Sequence, residues 1–330
     1  MMRSALFLCL LSISLATRAQ KITYDPPPNL PQQIGQADYK LIVDSSVKIV
    51  GARFKIDSVS GGSIHVLADN NQEATINLDN LILECLGVAD RSTWPGMIRH
   101  HFENLFATID QQRHLDPTNY ETMKKYLSIR IYPQETVQAR GGTDSLVFRT
   151  DLDGTYTLLM IDFPGAFTPV PRAMFDHWHK DAMEVFQVAQ ANIDSAKVEK
   201  VTKTFDVGGV SVEVEMLGEE NYAASYALDL QHNSPELLGE WGCALAMPNK
   251  GLVSICKIGR DKPVDFVKFI QLTQPFIEKS YQEHAQPISD QYFWYYQGKF
   301  THIETKVDDN GHLQVLAPAG LAELMTVQKP

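Results

Sequence analysis

Alternating and helically spaced apolar residues divide the first third of the chain into strands and helices. Three segments have the period-two alternation typical of short strands: Lys48–Ile56, Ser63–Ala68 and Ala74–Leu78. Asp79 can start a helix through Leu86, and a longer helix is predicted from about Thr93 to Gln111. These elements predict a small β-β-β-α-α unit over residues 38–115.

The pattern over residues 116–330 predicts a larger domain of hairpins with interspersed helices. Tyr222–Ala227 is predicted as one of its strands, and the longest helix runs from about Pro263 to His284. A carboxy-terminal hairpin is predicted around Asn310-Gly311, a dipeptide that favours a two-residue turn. Because hairpins join most of the strands, the fold class is α+β with mostly antiparallel sheets.

Five consecutive aromatic residues form one predicted strand near the carboxy terminus. On this strand Tyr292, Trp294 and Tyr296 point to one side, and Phe293 and Tyr295 point to the other. One side must pack on the core. The other either lies under the long helix or forms a stacking surface for a glycan or a peptide. Tyr292, Trp294 and Tyr296 are therefore a candidate binding face, with an unknown protein or glycan as its partner.

Residues 1–19 have the pattern of a signal peptide. Arg3 precedes an apolar run of about a dozen residues, well short of the roughly 20 that span a bilayer. Thr17 and Ala19 are small residues in the positions that signal peptidase requires, so we predict cleavage between Ala19 and Gln20. Residues 20–37 contain four prolines and are predicted to form an extended linker. We expect the mature chain to be exported, periplasmic or secreted, without a membrane span.

Composition and charge narrow the class of partner. The 330 residues include 29 Lys and Arg against 40 Asp and Glu, a net charge of -11. Nucleic acids and anionic membranes bind basic surfaces, so neither is expected as the main partner. With 44% hydrophobic and 21% charged residues, the chain has ample material for a packed core and is too apolar to be disordered.

Three cysteines follow the predicted signal peptide: Cys85, Cys243 and Cys256. Cys243 and Cys256 flank the turn over residues 248–251. A two-residue loop would place them opposite each other, within disulfide range. A three-residue loop with Gly251 in the left-handed region would place Cys256 opposite Ala244 instead. The turn residues favour the second geometry, so we predict three free thiols.

Few motifs point to catalysis or metal binding. Nucleophile elbows, phosphate-binding glycine loops and His-Glu-x-x-His are all absent. Asp176–Asp181 holds two His and two Asp, but on a helix end these side chains diverge. We predict surface pairs of Asp176 with Lys180 and of His177 with Asp181, around a buried Trp178. Asp151–Gly154 and Asp69–Glu73 are predicted to be turns. No catalytic, cofactor or metal site is predicted.

A set of dispersed positions resembles a known family. The chain is similar to the YtpQ-like family of uncharacterised bacterial proteins, a domain of unknown function, over about residues 50–318. The positions that carry this resemblance are Thr75–Leu81, Ile131–Pro133, Ile161-Asp162, Trp178, Ala189, Asn192-Ile193, Tyr222, Ser225 and Ala246–Pro248. The family has no established activity, and the resemblance implies that these positions serve caps, turns and packing. The chain differs from the family in its signal peptide and in Gly251, where an acidic residue is expected.

Two functional hypotheses follow from the sequence. The first is an exported, non-enzymatic protein that binds a ligand or a partner. The second is a cell-envelope hydrolase assembled from dispersed His, Asp and Glu residues, because catalytic groups are recognised by geometry and not by chain position. Convergence of at least two of these residues in one pocket would favour the hydrolase: His177, His179, His232, Glu219 and Glu220.

Overall fold

A computed structural model describes residues 21–26, 34–67, 73–112, 115–139, 141–163, 166–207, 209–284, 286–308 and 313–327. The chain forms two compact units, divided between Arg99 and His100. This division lies inside a helix and differs from the boundary at residue 115 that the pattern predicts. The predicted Ala19/Gln20 cleavage site, the turn at residues 69–71 and the Asn310-Gly311 turn lie outside the described residues.

The first unit contains a four-stranded sheet in the order β1-β2-β3-β4, in which β1 and β2 are parallel and the other pairs are antiparallel. Its strands are β1 (Lys21–Ile22), β2 (Lys55–Ser60), β3 (Ser63–Leu67) and β4 (Glu73–Asn77). Its helices are α1 (Gln36–Gly51), α2 (Asp79–Leu86) and the start of α3 (Trp94–Gln112).

Two predictions for this unit are wrong. Part of the predicted linker forms β1, and the predicted strand over Lys48–Ile56 begins inside α1. The buried residues of α1 recur at helical spacing: Tyr39, Ile42, Val43, Ser46 and Val50. Burial of this stripe outweighs the preference of the β-branched run Val47–Val50 for a strand, because helices in proteins gain most of their stability from tertiary packing.

The second unit alternates short helices with antiparallel strands. Its helices are the rest of α3, α4 (Tyr120–Met123), α5 (Gln134–Ala139), α6 (Arg172–His177), α7 (Ala182–Asp194), α8 (Ala223–Tyr226), α9 (Leu230–Asn233), α10 (Asp265–Glu283) and α11 (Ala319–Val327). Its strands are β5 (Leu127–Pro133), β6 (Phe148–Arg149), β7 (Thr155–Phe163), β8 (Ala166–Pro169), β9 (Glu199–Val207), β10 (Val210–Gly218), β11 (Cys243–Asn249), β12 (Leu252–Lys257), β13 (Tyr292–Tyr296), β14 (Lys299–Val307) and β15 (Leu313–Leu316).

Two sheets organise the second unit. The larger has the order β15-β14-β13-β11-β12-β10-β9, and the smaller has the order β5-β7-β6 with β8 beside β7. One face of the large sheet packs against α10 and α11. Its other face shares a core with α7, α8 and one face of the small sheet. Because both faces of the central strands are covered, β11 and β13 are continuous apolar runs and not alternating ones.

The predicted strand over Tyr222–Ala227 is wrong. Ala223–Tyr226 forms α8, a single buried helical turn. The carboxylate of Glu219 accepts hydrogen bonds from the backbone N–H groups of Asn221 (2.7 Å) and Tyr222, which curls the chain into a turn before α8. Two consecutive alanines then favour helix over strand.

The cysteine register is confirmed, although the loop that sets it differs. Cys256 lies opposite Ala244, and Cys85, Cys243 and Cys256 are free and buried. Asn249 pairs with Leu252 across a two-residue loop, and an irregularity between Ala246 and Asn249 shifts the register by one residue. This β-bulge places Cys256 opposite Ala244, which is the pairing that the predicted three-residue loop would also have produced.

The predicted fold class is confirmed. The molecule is α+β with antiparallel sheets, and the long α10 precedes the last strands and a short helix. Among the helices of the described residues, none is both long and apolar enough to cross a membrane.

Candidate functional site

The predicted aromatic binding face is covered in the structure. Tyr292 and Trp294 are 3% and 7% exposed and belong to the core beneath α10 and α11. The Tyr292 hydroxyl lies 2.8 Å from Thr273 Oγ1 on α10, and the Trp294 indole N–H donates to the Trp241 carbonyl at 2.8 Å. Packing under the helix, the alternative left open by the sequence, is what the structure shows for these two residues.

Tyr296 is the most exposed member of that face. Its ring stacks on Trp294 with centroids 5.2 Å apart, and its outer edge borders a cleft of about 190 Å³. The cleft is lined by Gln231, Leu238, Gly239, Gly242, Tyr295, Tyr296 and Gln297. A single half-buried ring offers little area for stacking against a ligand. The glycan or protein partner therefore stays a prediction.

The His and Asp residues of the segment 176–181 lie around a tryptophan that is buried, as predicted. Trp178 is buried and donates its indole N–H to the Pro117 carbonyl at 2.9 Å. The two predicted surface pairs do not form: Lys180 pairs with Glu184 at 3.3 Å, while Asp181 caps α7 by accepting backbone N–H groups. His177 Nδ1 lies 2.6 Å from the Ala173 carbonyl oxygen. Within the described residues, no group of three His, Cys, Asp or Glu side chains is arranged to hold a metal ion.

A different cluster gathers beside the small sheet, around Arg130. Leu127, Ile129 and Ile131 point into the shared core, so alternation turns Ser128 and Arg130 to the opposite face of β5. The sequence pattern of β5 therefore delivers one cation to this face.

The guanidinium of Arg130 is buried, and its hydrogen bonds within the described ranges go to neutral groups. Arg130 is 5% exposed, and its Nη1 and Nη2 donate to Gln286 Oε1 at 3.2 Å and Asn221 Oδ1 at 3.5 Å. The guanidinium carbon lies 3.8 Å from the centroid of the Phe167 ring, a cation–π contact. These bonds use two of the five N–H groups that an arginine carries.

Lys250 brings a second buried cation to the same oxygen. It is 5% exposed, and its Nζ donates to Asn221 Oδ1 at 2.9 Å. Within the described part of the chain, neither Lys250 nor Arg130 makes an ion pair with a carboxylate. Two positive charges thus share one neutral acceptor in a place where most charges are paired.

The loop between β11 and β12 holds Lys250 in position. Asn249 anchors the loop to α10 through the Ser280 carbonyl at 3.3 Å. The Glu219 N–H donates to the Gly251 carbonyl at 3.2 Å, and the Ala224 N–H donates to the Lys250 carbonyl at 3.1 Å. A Cβ on Gly251 would lie 3.2 Å from the Glu219 carbonyl oxygen, so glycine permits this close approach.

Acidic and phenolic groups complete the cluster. The Tyr222 hydroxyl donates to Asp162 Oδ2, and its ring lies 5.9 Å from that of Phe167. Burial raises the pKa of Asp162, with the Tyr222 hydrogen bond and Arg130 opposing. Burial, reinforced by the Asp162 hydrogen bond and charge, raises the pKa of Tyr222. Tyr222 thus engages one oxygen of the Asp162 carboxylate, and among the described residues no hydrogen bond joins this carboxylate to either cation.

The charge of Arg130 acts on Lys250, and the charge of Lys250 acts on a nearby histidine. Burial first, and then the charge of Arg130, lowers the pKa of Lys250 to about 8, while Glu220 and Glu219 act in the opposite direction. Burial first, and then the charge of Lys250, lowers the pKa of His284. His284 Nδ1 accepts the Gln286 N–H at 2.9 Å, so a neutral ring carries its proton on Nε2.

Ser128 adds an unsatisfied polar group on the Arg130 face. It is 2% exposed, and its hydroxyl has no hydrogen-bond partner among the described residues. Buried hydroxyls in proteins are nearly always bonded, and exceptions often mark places where a ligand or a water belongs. The face of β5 that carries Arg130 thus also offers a free donor.

The sequence identified the rim of this cluster and missed its centre. Asp162 and Tyr222 are among the positions that carry the predicted family resemblance, and the turn over residues 248–250 lies beside them. Glu219 and Glu220 are among the residues that the hydrolase hypothesis names. Arg130 was missed, because a single arginine on an alternating strand is typical of a solvent-facing position. Only its burial distinguishes it.

Comparisons with known proteins neither extend nor correct this description. No family model, no curated protein and no solved structure matches the chain. The resemblance to the YtpQ-like family stays a prediction.

Proposed function

We propose that the chain is an exported binding protein whose ligand is a small anion, held by Arg130 and Lys250. One observation carries this proposal: two cations at 5% exposure whose direct partners are the neutral amide oxygens of Asn221 and Gln286. The export part of the proposal rests on the signal-peptide pattern of residues 1–19.

The energetics favour an anion as the missing partner. A buried charge costs several kcal/mol unless an opposite charge or several hydrogen bonds compensate for it, on the order of magnitude found in proteins. A phosphate or carboxylate would accept the unused donors of both cations, and arginine presents them in a planar fork that suits these anions. Asp162, Glu219 and Glu220 balance the cluster at longer range without occupying those donors.

The stability of a Lys250→Met variant distinguishes an anion site from a purely structural cluster, because the two roles predict opposite changes in the free energy of unfolding. If the cations only brace the fold, Lys250→Met should destabilise the protein. If they wait for an anion, Lys250→Met should raise the anion-free free energy of unfolding by about 1 to 3 kcal/mol, since an apolar isostere removes an uncompensated charge. Asn221 Oδ1 keeps Arg130 as a donor in this variant.

The experiment is thermal unfolding with and without phosphate, sulfate, citrate or acetate. An anion at a hundred times its Kd should stabilise the wild type by about 2.7 kcal/mol. Lys250→Met and Arg130→Met should lose this stabilisation. Lys279→Met is the matched control, because Lys279 is exposed on α10 and pairs only with the exposed Glu283 at 3.9 Å. If no anion stabilises the wild type more than it stabilises Lys250→Met and Arg130→Met, anion binding is excluded.

The hydrolase hypothesis has less support. His177 and His179 lie at the end of α6, and His232 bonds to Asp229 at 2.6 Å. In the described residues these histidines have no contact with Glu219 or Glu220. We therefore retain a non-enzymatic binding role as the proposed function.

A further inference from the structure

The two cations are close enough to act on one small ligand, a deduction that rests on the proposed anion site. Lys250 Nζ and Arg130 Nη2 lie 2.9 Å and 3.5 Å from the same oxygen, Asn221 Oδ1. A single small ligand can therefore contact both cations. A carboxylate with an adjacent carbonyl offers one group to an arginine and one to a lysine amine.

Lys250 has the surroundings of a nucleophilic amine. Its burial and the adjacent positive charge of Arg130 both favour the neutral form, against Glu219 and Glu220, and its pKa falls to about 8. An ordinary lysine titrates near 10.4, so at pH 8 the neutral fraction of Lys250 is about a hundredfold larger. Desolvation and a neighbouring cation are the two ways in which proteins activate lysine towards carbonyl compounds.

We propose that Lys250 forms a reversible imine with the carbonyl carbon of a small 2-oxo acid whose carboxylate is bound by Arg130. The lone pair of Nζ attacks the carbonyl carbon and the C=O π bond opens to a hydroxyl, giving a carbinolamine after proton transfer from nitrogen to oxygen. The hydroxyl then takes up a proton and leaves as water, while a C=N bond forms. Water adds back in the reverse reaction, so no oxidant or reductant is required.

Neighbouring groups fit the proton transfers of this reaction. The Nε2 proton of neutral His284 is available, because its Nδ1 is occupied by the Gln286 N–H. Burial first, and then the charge of nearby Lys250, lowers the pKa of His284 and favours its neutral form. Arg130 fixes the carboxylate, so the carbonyl carbon is presented to the amine and not to solvent.

The test is reductive trapping on the full-length mature protein. The protein is incubated with pyruvate and sodium cyanoborohydride near pH 8, digested, and mapped by mass spectrometry for the reduced adduct. We expect Lys250 to be modified at least about tenfold faster than any other lysine, given its larger neutral fraction. Acetaldehyde, which lacks the carboxylate, should lose most of this preference for Lys250.

Variants distinguish this proposal from simple anion binding. Arg130→Met should reduce trapping by pyruvate to the level of acetaldehyde, and Lys250→Arg should abolish the selective adduct. Lys279→Arg is the control expected to change neither result. Adducts spread evenly over the lysines, or equal trapping by acetaldehyde, would overturn the imine. Thermal stabilisation by phosphate or pyruvate without trapping would leave the anion site standing, whereas absence of stabilisation would remove its basis.

Discussion

At the scale of single residues, the balance between burial and pairing distinguishes this protein. Arg130 and Lys250 are as buried as core side chains, yet their direct partners carry no charge. Natural proteins accept such local cost mainly where a function requires it. Burial also shifts the pKa values of Lys250 and of the three cysteines.

Titration of Lys250 should make its contribution to stability depend on pH. The pKa is about 8 in the folded protein, and an unfolded lysine titrates near 10.4. Between these values the unfolded chain binds more protons, so the contribution of Lys250 to stability rises with pH. Arg130, Glu219, Glu220 and His284 are the charged and titratable groups around it.

This linkage is measured as a difference between two proteins. Below about pH 8 the penalty is complete, so Lys250→Met should be the more stable protein, and its advantage should shrink by up to about 3 kcal/mol by pH 10.4. Urea unfolding across this range gives both free energies, and the titration of the cysteines cancels in the difference. An advantage that does not change with pH would contradict the shifted pKa.

The three thiols should be inert in the folded protein. Burial raises the pKa of Cys85 to about 11 and that of Cys256 to about 12, and it also raises the pKa of Cys243. Since the thiolate is the reactive form, iodoacetamide near pH 8 should label none of them in the native state. After denaturation without reductant, the mature protein should contain three reactive thiols. A single reactive thiol would mean that a disulfide forms despite the register of β11 and β12.

At the scale of elements, glycines decide how closely β11 approaches its neighbours. Gly242 and Gly154 both adopt left-handed backbone conformations, with φ of 77° and 75°. A Cβ at Gly242 would lie 2.0 Å from the Tyr295 carbonyl oxygen, whereas nothing lies within 4 Å of one at Gly154. Comparing the two glycines therefore separates the free-energy cost of a left-handed backbone from the cost of a steric clash.

Alanine substitutions should therefore differ sharply. Gly154→Ala pays only for the left-handed conformation, about 1 to 2 kcal/mol. Gly242→Ala should cost at least about 2 kcal/mol more, because β11 and β13 must also separate. Chemical denaturation of both variants measures the difference. Equal costs would show that the start of β11 does not pack against β13 in this way.

At the scale of the whole molecule, export is the property that awaits a direct test. Cleavage between Ala19 and Gln20 should leave an amino-terminal glutamine, which can cyclise. Intact-mass measurement of protein from the native host should show the loss of residues 1–19. A mass that retains those residues would contradict the predicted export and, with it, the exported part of the proposed function.

The sequence by itself determined the kind of fold and most of its elements. Strong periodicity located α3 and α10, and the aromatic run located β13, since these patterns reflect burial within a single element. The α+β class followed from the hairpin connections. Even the opposition of Cys256 and Ala244 was predicted, although a bulge produces it and not the predicted loop.

Only the tertiary structure decided which side chains meet. Tyr292 and Trp294 are core because α10 and α11 cover them. The segment of α1 has both a helical stripe and β-branched residues, and burial of the stripe decides for the helix. Arg130 and Lys250 stand 120 positions apart by their numbers and converge on Asn221 through a strand, a turn and a loop. Local sequence encodes which residues prefer burial, but the contact of two buried cations depends on how distant elements pack.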